Sequence, residues 1–139
     1  MKLKLLGFFA FVSACSTIAR FDQYSYSQSV SLKVDALNLM QTATGPFASY
    51  EKAVNDLNVT MSKVYEYERN RPQNEISSKM WELMRDTSGH LYGGFINRWQ
   101  KEKVLDKAFI HESTKLVGEA FDQIAQLESG KIKPSQINN

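Results

Sequence analysis

Six apolar residues in the middle of the chain, Phe47, Tyr50, Val54, Leu57, Met61 and Val64, recur at intervals of 3, 4, 3, 4 and 3. A β-strand cannot use that spacing, because its side chains alternate with a period of two. An α-helix lines all six along one seam, the pattern of a bundle or coiled coil. Pro46 stands at the first turn, where its missing N–H is harmless, and residues 70–74, around Pro72, close the segment. The seam needs partner helices, so an all-α fold is expected.

The flanking segments supply them. A first helix is expected up to about Thr42, capped by Ser27, Ser29 or Ser31, with Val30, Val34, Leu37 and Met40 on one side. Tyr24, Tyr26, Gln28, Val30 and Leu32 alternate with serines, a strand signal. No second segment could pair with such a strand, and a lone strand is unstable. A third helix spans about Glu75 to Thr87, with Ile76, Met80, Leu83 and Met84 inward, and Gly89 stops it. A short fourth helix, Leu91 to Lys103, carries Tyr92, Phe95, Ile96 and Trp99 and is expected to be loosened by Gly93-Gly94. The last, about Leu105 to Ser129, has two apolar stripes. One is Leu105, Phe109, Leu116, Ala120 and Leu127; the other is Ile110, Val117, Phe121 and Ile124. So wide an arc suits a helix packed between two neighbours. The expected fold is an irregular bundle of four to five helices over residues 29–130, followed by a polar tail, 131–139.

In front of the bundle stand Lys2 and Lys4, an apolar run from Leu5 to Val12, and small residues Ser13 and Ala14. This is the pattern of a secretory signal, and the run is far short of the roughly 20 residues that span a bilayer. Val12-Ser13-Ala14-Cys15 resembles a lipobox, with Val12 where leucine is commonest, so the first tenth of the chain is similar to the bacterial lipoprotein class. That resemblance implies removal of residues 1–14, diacylglycerol on the Cys15 thiol, and acylation of the new amino group. Residues 15–28 then form a lipid-anchored polar tether. Ser16, in place of an aspartate, points within that class to the outer membrane, facing the periplasm. The competing readings are ordinary cleavage after Ala14 and a buried thiol in a retained helix. Cys15 is the sole cysteine, which excludes an intramolecular disulfide. Two or three acyl chains would hold the domain at the surface almost permanently.

Charge excludes one class of partner. Lys+Arg number 17 and Asp+Glu 15; without Lys2 and Lys4 the two are equal. No basic cluster calls for nucleic acid.

Motifs for chemistry are sparse. His90 falls in a loop and His111 on the polar side of the last helix, with no Glu-x-x-His pair for a di-iron bundle and too few ligands for zinc. Ser49-Tyr50-Glu51-Lys52 has the S-x-x-K spacing of penicillin-recognising enzymes but lacks their companion elements, so it reads as a coincidental surface turn. Glu112, at the edge of the apolar arc, reads as a solvated carboxylate near Lys115. Asn58-Val59-Thr60 is a glycosylation sequon without consequence in a bacterial envelope. No catalytic residue, metal or cofactor is assigned.

The middle of the chain is rich in aromatics: Trp81, Tyr92, Phe95 and Trp99, with Tyr65 and Tyr67. Core packing is their ordinary use; a partner face is the sharper one, because Trp and Tyr are enriched in binding hot spots. The candidate face is Trp81, Tyr92, Phe95, Arg98, Trp99, Lys101 and Lys103, its cations suited to anionic lipid or an acidic partner. The expected role is that of a non-enzymatic envelope lipoprotein that binds or chaperones another envelope protein. The alternatives are a pilotin-like assembly factor for an outer-membrane secretion channel, and a ligand-binding or enzymatic helical bundle.

Overall fold

A computed structural model describes residues 21–136, which form five α-helices and no strand. They are α1 (Gln23–Gln41), α2 (Glu51–Asn70), α3 (Glu75–Arg85), α4 (Tyr92–Glu102) and α5 (Lys107–Glu128). The expected signal sequence 1–14, Cys15 and the first part of the expected tether lie outside the described residues. Among the described residues no helix is long and apolar enough to cross a membrane.

The seam of α2 is buried as its spacing requires: Val54, Leu57, Met61 and Val64 lie in the core, with Phe47 just ahead of the helix. Long α5 runs against α1 with opposed direction. Lys33 meets Asp122, Leu37 lies over Gly118, and Gln41 donates to Thr114. α2 packs on α1 and α3, and α3 on α5, where the Trp81 and Phe121 rings meet edge to face at 5.8 Å. This arrangement gives the bundle two poles. At one, the N-termini of α1 and α3 meet the C-termini of α2 and α5. At the other, the end of α1 meets the starts of α2 and α5 and the end of α4. There the Phe47 N–H donates to the Lys103 carbonyl (2.8 Å), the Leu105 N–H to Ala43 (2.8 Å), and Trp99 Nε1 to Gly45 (3.1 Å).

Four expectations are corrected. The tether is shorter than residues 15–28, because α1 starts at Gln23. Asp22 caps it, accepting the Ser25 N–H at 2.8 Å, and a carboxylate at a helix N-terminus is doubly favoured, as acceptor and as charge. The inward face of α1 is Ser25, Ser29, Leu32, Ala36 and Met40, while Val30 and Val34 are exposed. On α3 the inward residues are Ser77, Trp81 and Met84; Ile76 and Leu83 point outward. On α5 the stripe of Ile110, Val117, Phe121 and Ile124 is the core, and Leu116 is exposed. In α1 and α3 a serine hydroxyl on the inward face, Ser25 or Ser77, donates to a buried carboxylate, which no count of apolar residues registers.

The glycine pair does the reverse of loosening α4. A Cβ on Gly93 would collide with the backbone carbonyl of Arg85, and one on Gly94 with that of Gly89. Their bare Cα atoms let α4 close against the end of α3 and the 86–91 loop, so they lock the helix in place.

Candidate functional site

The candidate partner face separates into two parts. Its aromatic members, Trp81, Tyr92, Phe95 and Trp99, are all at most 2% exposed. Trp99 is enclosed by Phe47 (5.4 Å, edge to face), Tyr50 and Phe95, and Trp81 by Phe121. These large rings are the best available fill for the junction of α3, α4 and α5. As a binding surface they are corrected to core. The cations Arg98, Lys101 and Lys103 are exposed. Lys103 and Lys101 end α4 at the pole away from α1's N-terminus.

Arg98 borders a cleft of about 590 Å³ between α4, α5 and the 86–91 loop. Its guanidinium lies 3.9 Å above the Phe109 ring and its Nε donates to Glu102 at 2.7 Å. Phe109 in turn stacks flat on Phe95 at 5.8 Å. Exposed Leu116 adds an apolar wall, and His90, Glu112, Lys115 and Glu119 ring the mouth. The opening is thus lined by both acidic and basic side chains beside an apolar wall. Ser49, Lys52 and His111 are exposed, and Lys52 is engaged by Asp56 at 2.6 Å. Among the described residues no three His, Cys, Asp or Glu side chains cluster as metal ligands.

Sequence reasoning missed the most organised polar site, at the pole where α1 begins. Glu68 near the end of α2 and Glu128, the last residue of α5, are both buried and share Arg71. The Arg71 Nη1 lies 2.9 Å from an oxygen of each. Glu68 also accepts from the Ser25 hydroxyl and from Asn74 Nδ2 (2.5 Å); Glu128 accepts from the Ser77 hydroxyl (2.5 Å). The loop between α2 and α3 is folded around Glu68, with Gln73 at φ 58° turning the chain so that Arg71 and Asn74 both reach back. Asp22 completes the site. It lies 3.9 Å from Arg71 Nε and accepts the Tyr67 hydroxyl at 2.9 Å.

Burial pushes Glu68 up from its ordinary value, and the negative charge of Glu128 adds to it. The Ser25, Asn74 and Arg71 donors offset only part of this. Burial also works upward on Asp22, but the Ser25 N–H, the Tyr67 hydroxyl and the Arg71 charge outweigh it and hold that carboxyl low. A carboxyl with a raised pKa beside a second carboxylate is the composition of an acid–base pair. Here the oxygens are taken up by protein donors, and Glu68 and Glu128 do not line the α4–α5 cleft. The cluster is a clasp that ties the ends of four helices together. Its one sequence signal is Ser25, Ser29 and Ala36 along one side of α1, small residues where helices approach closely.

No family model, curated protein or solved structure matches the chain. The functional reading therefore rests on the residues themselves.

Proposed function

We propose that this chain is a lipid-anchored protein of the bacterial envelope, at the outer membrane and facing the periplasm. Its helical domain binds another envelope protein and performs no catalysis. One observation carries the reading: a charged and apolar leader ends in Val12-Ser13-Ala14 at the sole cysteine, Cys15. The start of α1 at Gln23 supports it by leaving a short link. From Cys15 to Asp22 a fully extended chain reaches at most about 25 Å. With α5's 22 residues the bundle is about 33 Å long at 1.5 Å per residue. The pole carrying Asp22 and Arg71 thus stays within reach of the bilayer, and the bundle cannot stand upright on the opposite pole, which carries Lys101 and Lys103. Those lysines then serve an acidic protein partner and not the anchoring lipid.

Metabolic labelling with a fatty acid tests the anchor: the wild type takes up label and Cys15→Ser does not. Crosslinking in intact membranes tests the partner. A single adduct should form with the wild type and fade when Lys101 and Lys103 are both changed to Glu. Equal labelling of both chains sinks the anchor, and an adduct indifferent to the charge reversal sinks the distal binding pole.

A further inference from the structure

We infer that the first half of α1 is a bilayer-contact surface, seated in the interfacial layer of the membrane to which Cys15 ties the chain. The inference rests on the anchoring proposed above. Five large apolar or aromatic side chains stand exposed from just before α1 to its middle: Phe21 at 61%, Tyr24 at 44%, Tyr26 at 40%, Val30 at 43% and Val34 at 54%. Tyr26, Val30 and Val34 follow one another at four-residue spacing and form a stripe along the helix. Phe21 lies against Tyr26, with ring centres 6.3 Å apart. On the other flank Tyr24 rests edge-on against Tyr67 at 4.7 Å, and Tyr67 is fixed by its bond to Asp22.

Single exposed apolar residues are ordinary on any protein, but Phe21, Tyr26, Val30 and Val34, following one another along one side of one helix, mark a contact surface. Charge is the second observation. From Gln23 to Leu32 the helix holds no Asp, Glu, Lys or Arg, in a chain where charged residues are 23% of the total. The first cation, Lys33, is turned aside to Asp122 at 2.6 Å. Tyrosine rings with serine and glutamine between them suit the headgroup layer, where one end of a side chain is apolar and the other wet.

The link to Cys15 selects the occupant. It ends where the patch begins, and its reach is shorter than the bundle, so the surface always lies within touching distance of lipid. Tethering raises the local concentration of lipid, and a contact too weak to hold a free protein is then enough.

The test uses the full acylated chain in vesicles of zwitterionic phosphatidylcholine with brominated acyl chains. Trp81 and Trp99 are fully buried and supply an unquenched background. Tyr26→Trp should emit to the blue of its detergent spectrum and lose intensity to the bromines. Val104→Trp, at the opposite pole, should keep its intensity. Adding Val30→Asp should restore much of the lost Tyr26→Trp emission. If Tyr26→Trp is quenched no more than Val104→Trp, the surface is refuted. It is refuted equally if the Tyr26→Trp emission shifts only in native membranes, which would mean a protein covers it. Intact mass reads acylation of Cys15 separately. An acylated chain with unquenched Tyr26→Trp removes the surface and keeps the anchor. A chain unmodified at Cys15 but quenched on mixing with vesicles keeps the surface and removes the anchor.

Discussion

Glu68, Glu128 and Arg71 place two buried carboxylates on one guanidinium, and the imbalance sets the behaviour of each residue. Arg71 lies in contact with both acids, so its loss strands two buried charges together. Breaking a buried ion pair from one side costs about 3–5 kcal/mol, and Arg71→Leu should show a loss of that size in urea unfolding. Adding Glu128→Gln to Arg71→Leu should return part of it, because one stranded charge is gone. Glu68 makes a separate prediction about pH. Its folded pKa lies above the ordinary 4.5, so the folded chain holds the proton more tightly than the unfolded one. The stability this group contributes is complete below about pH 4.5 and declines as pH rises through the raised value. Asp22, held below 3.8, acts in the opposite sense, and its contribution is lost as pH falls through its lowered value. Wild-type urea midpoints should therefore decline from pH 4.5 towards neutrality more steeply than those of Glu68→Gln. Parallel curves would mean that Glu68 does not titrate in that window.

Among the elements, α4 shows most plainly how close packing overrides propensity. In a free helix, replacing glycine with alanine gains about 1 kcal/mol. In α4 the added methyl meets backbone carbonyls that cannot swing aside, and overpacking of this kind costs about 1–3 kcal/mol. Gly93→Ala and Gly94→Ala should both lower the unfolding midpoint; a rise in either would restore the picture of a loose helix. Leu57→Ala on the α2 seam should cost about 2–5 kcal/mol, as a buried leucine does. Both tryptophans should emit as buried and resist acrylamide, since Trp81 and Trp99 are fully covered. The contrast between α2 and its neighbours shows what the chain discloses in advance. Every inward residue of the α2 seam down to Val64 is apolar, so spacing alone finds it, and Pro72 stands just past its end; at the other end a separate 3-10 turn, Phe47–Ser49, intervenes, so Pro46 does not open α2, which begins at Glu51. α1 and α3 turn inward faces that begin with serine, and the reason lies on other helices, in Glu68 and Glu128. A carboxylate 43 residues away leaves no periodic trace in the helix that receives it. Arg98, Lys101 and Lys103 were legible as exposed charge, whereas the aromatics beside them, for which core packing was the ordinary reading, could be assigned to it only once α5 and the start of α2 were in place to cover them.

At the scale of the whole molecule, the two poles differ in what they can reach. One gathers the clasp, the exposed tyrosines and the short link to Cys15. The other gathers Lys52 and Lys107 in the first turns of α2 and α5 and Lys101 and Lys103 at the end of α4, all exposed. With Cys15 lipidated as proposed, a link of about 25 Å could not lift its attachment point over a bundle of about 33 Å, so the bundle could not stand upright on these lysines. A bundle seated on the α1 stripe lies along the membrane, with these lysines carried by other helices, α2, α4 and α5. The ion pair of Lys52 with Asp56 lies open to solvent and holds its amine only weakly. An impermeant amine-reactive reagent, applied to the acylated chain outside vesicles and read by mass spectrometry, should therefore modify Lys52, Lys101, Lys103 and Lys107 as fast as it does in detergent. Slowing confined to these four would place the lysine pole against the bilayer and overturn the assignment of near and far ends. Unchanged rates in pure lipid vesicles, followed by protection of Lys101 and Lys103 in native membranes, would locate the protein partner at the far pole.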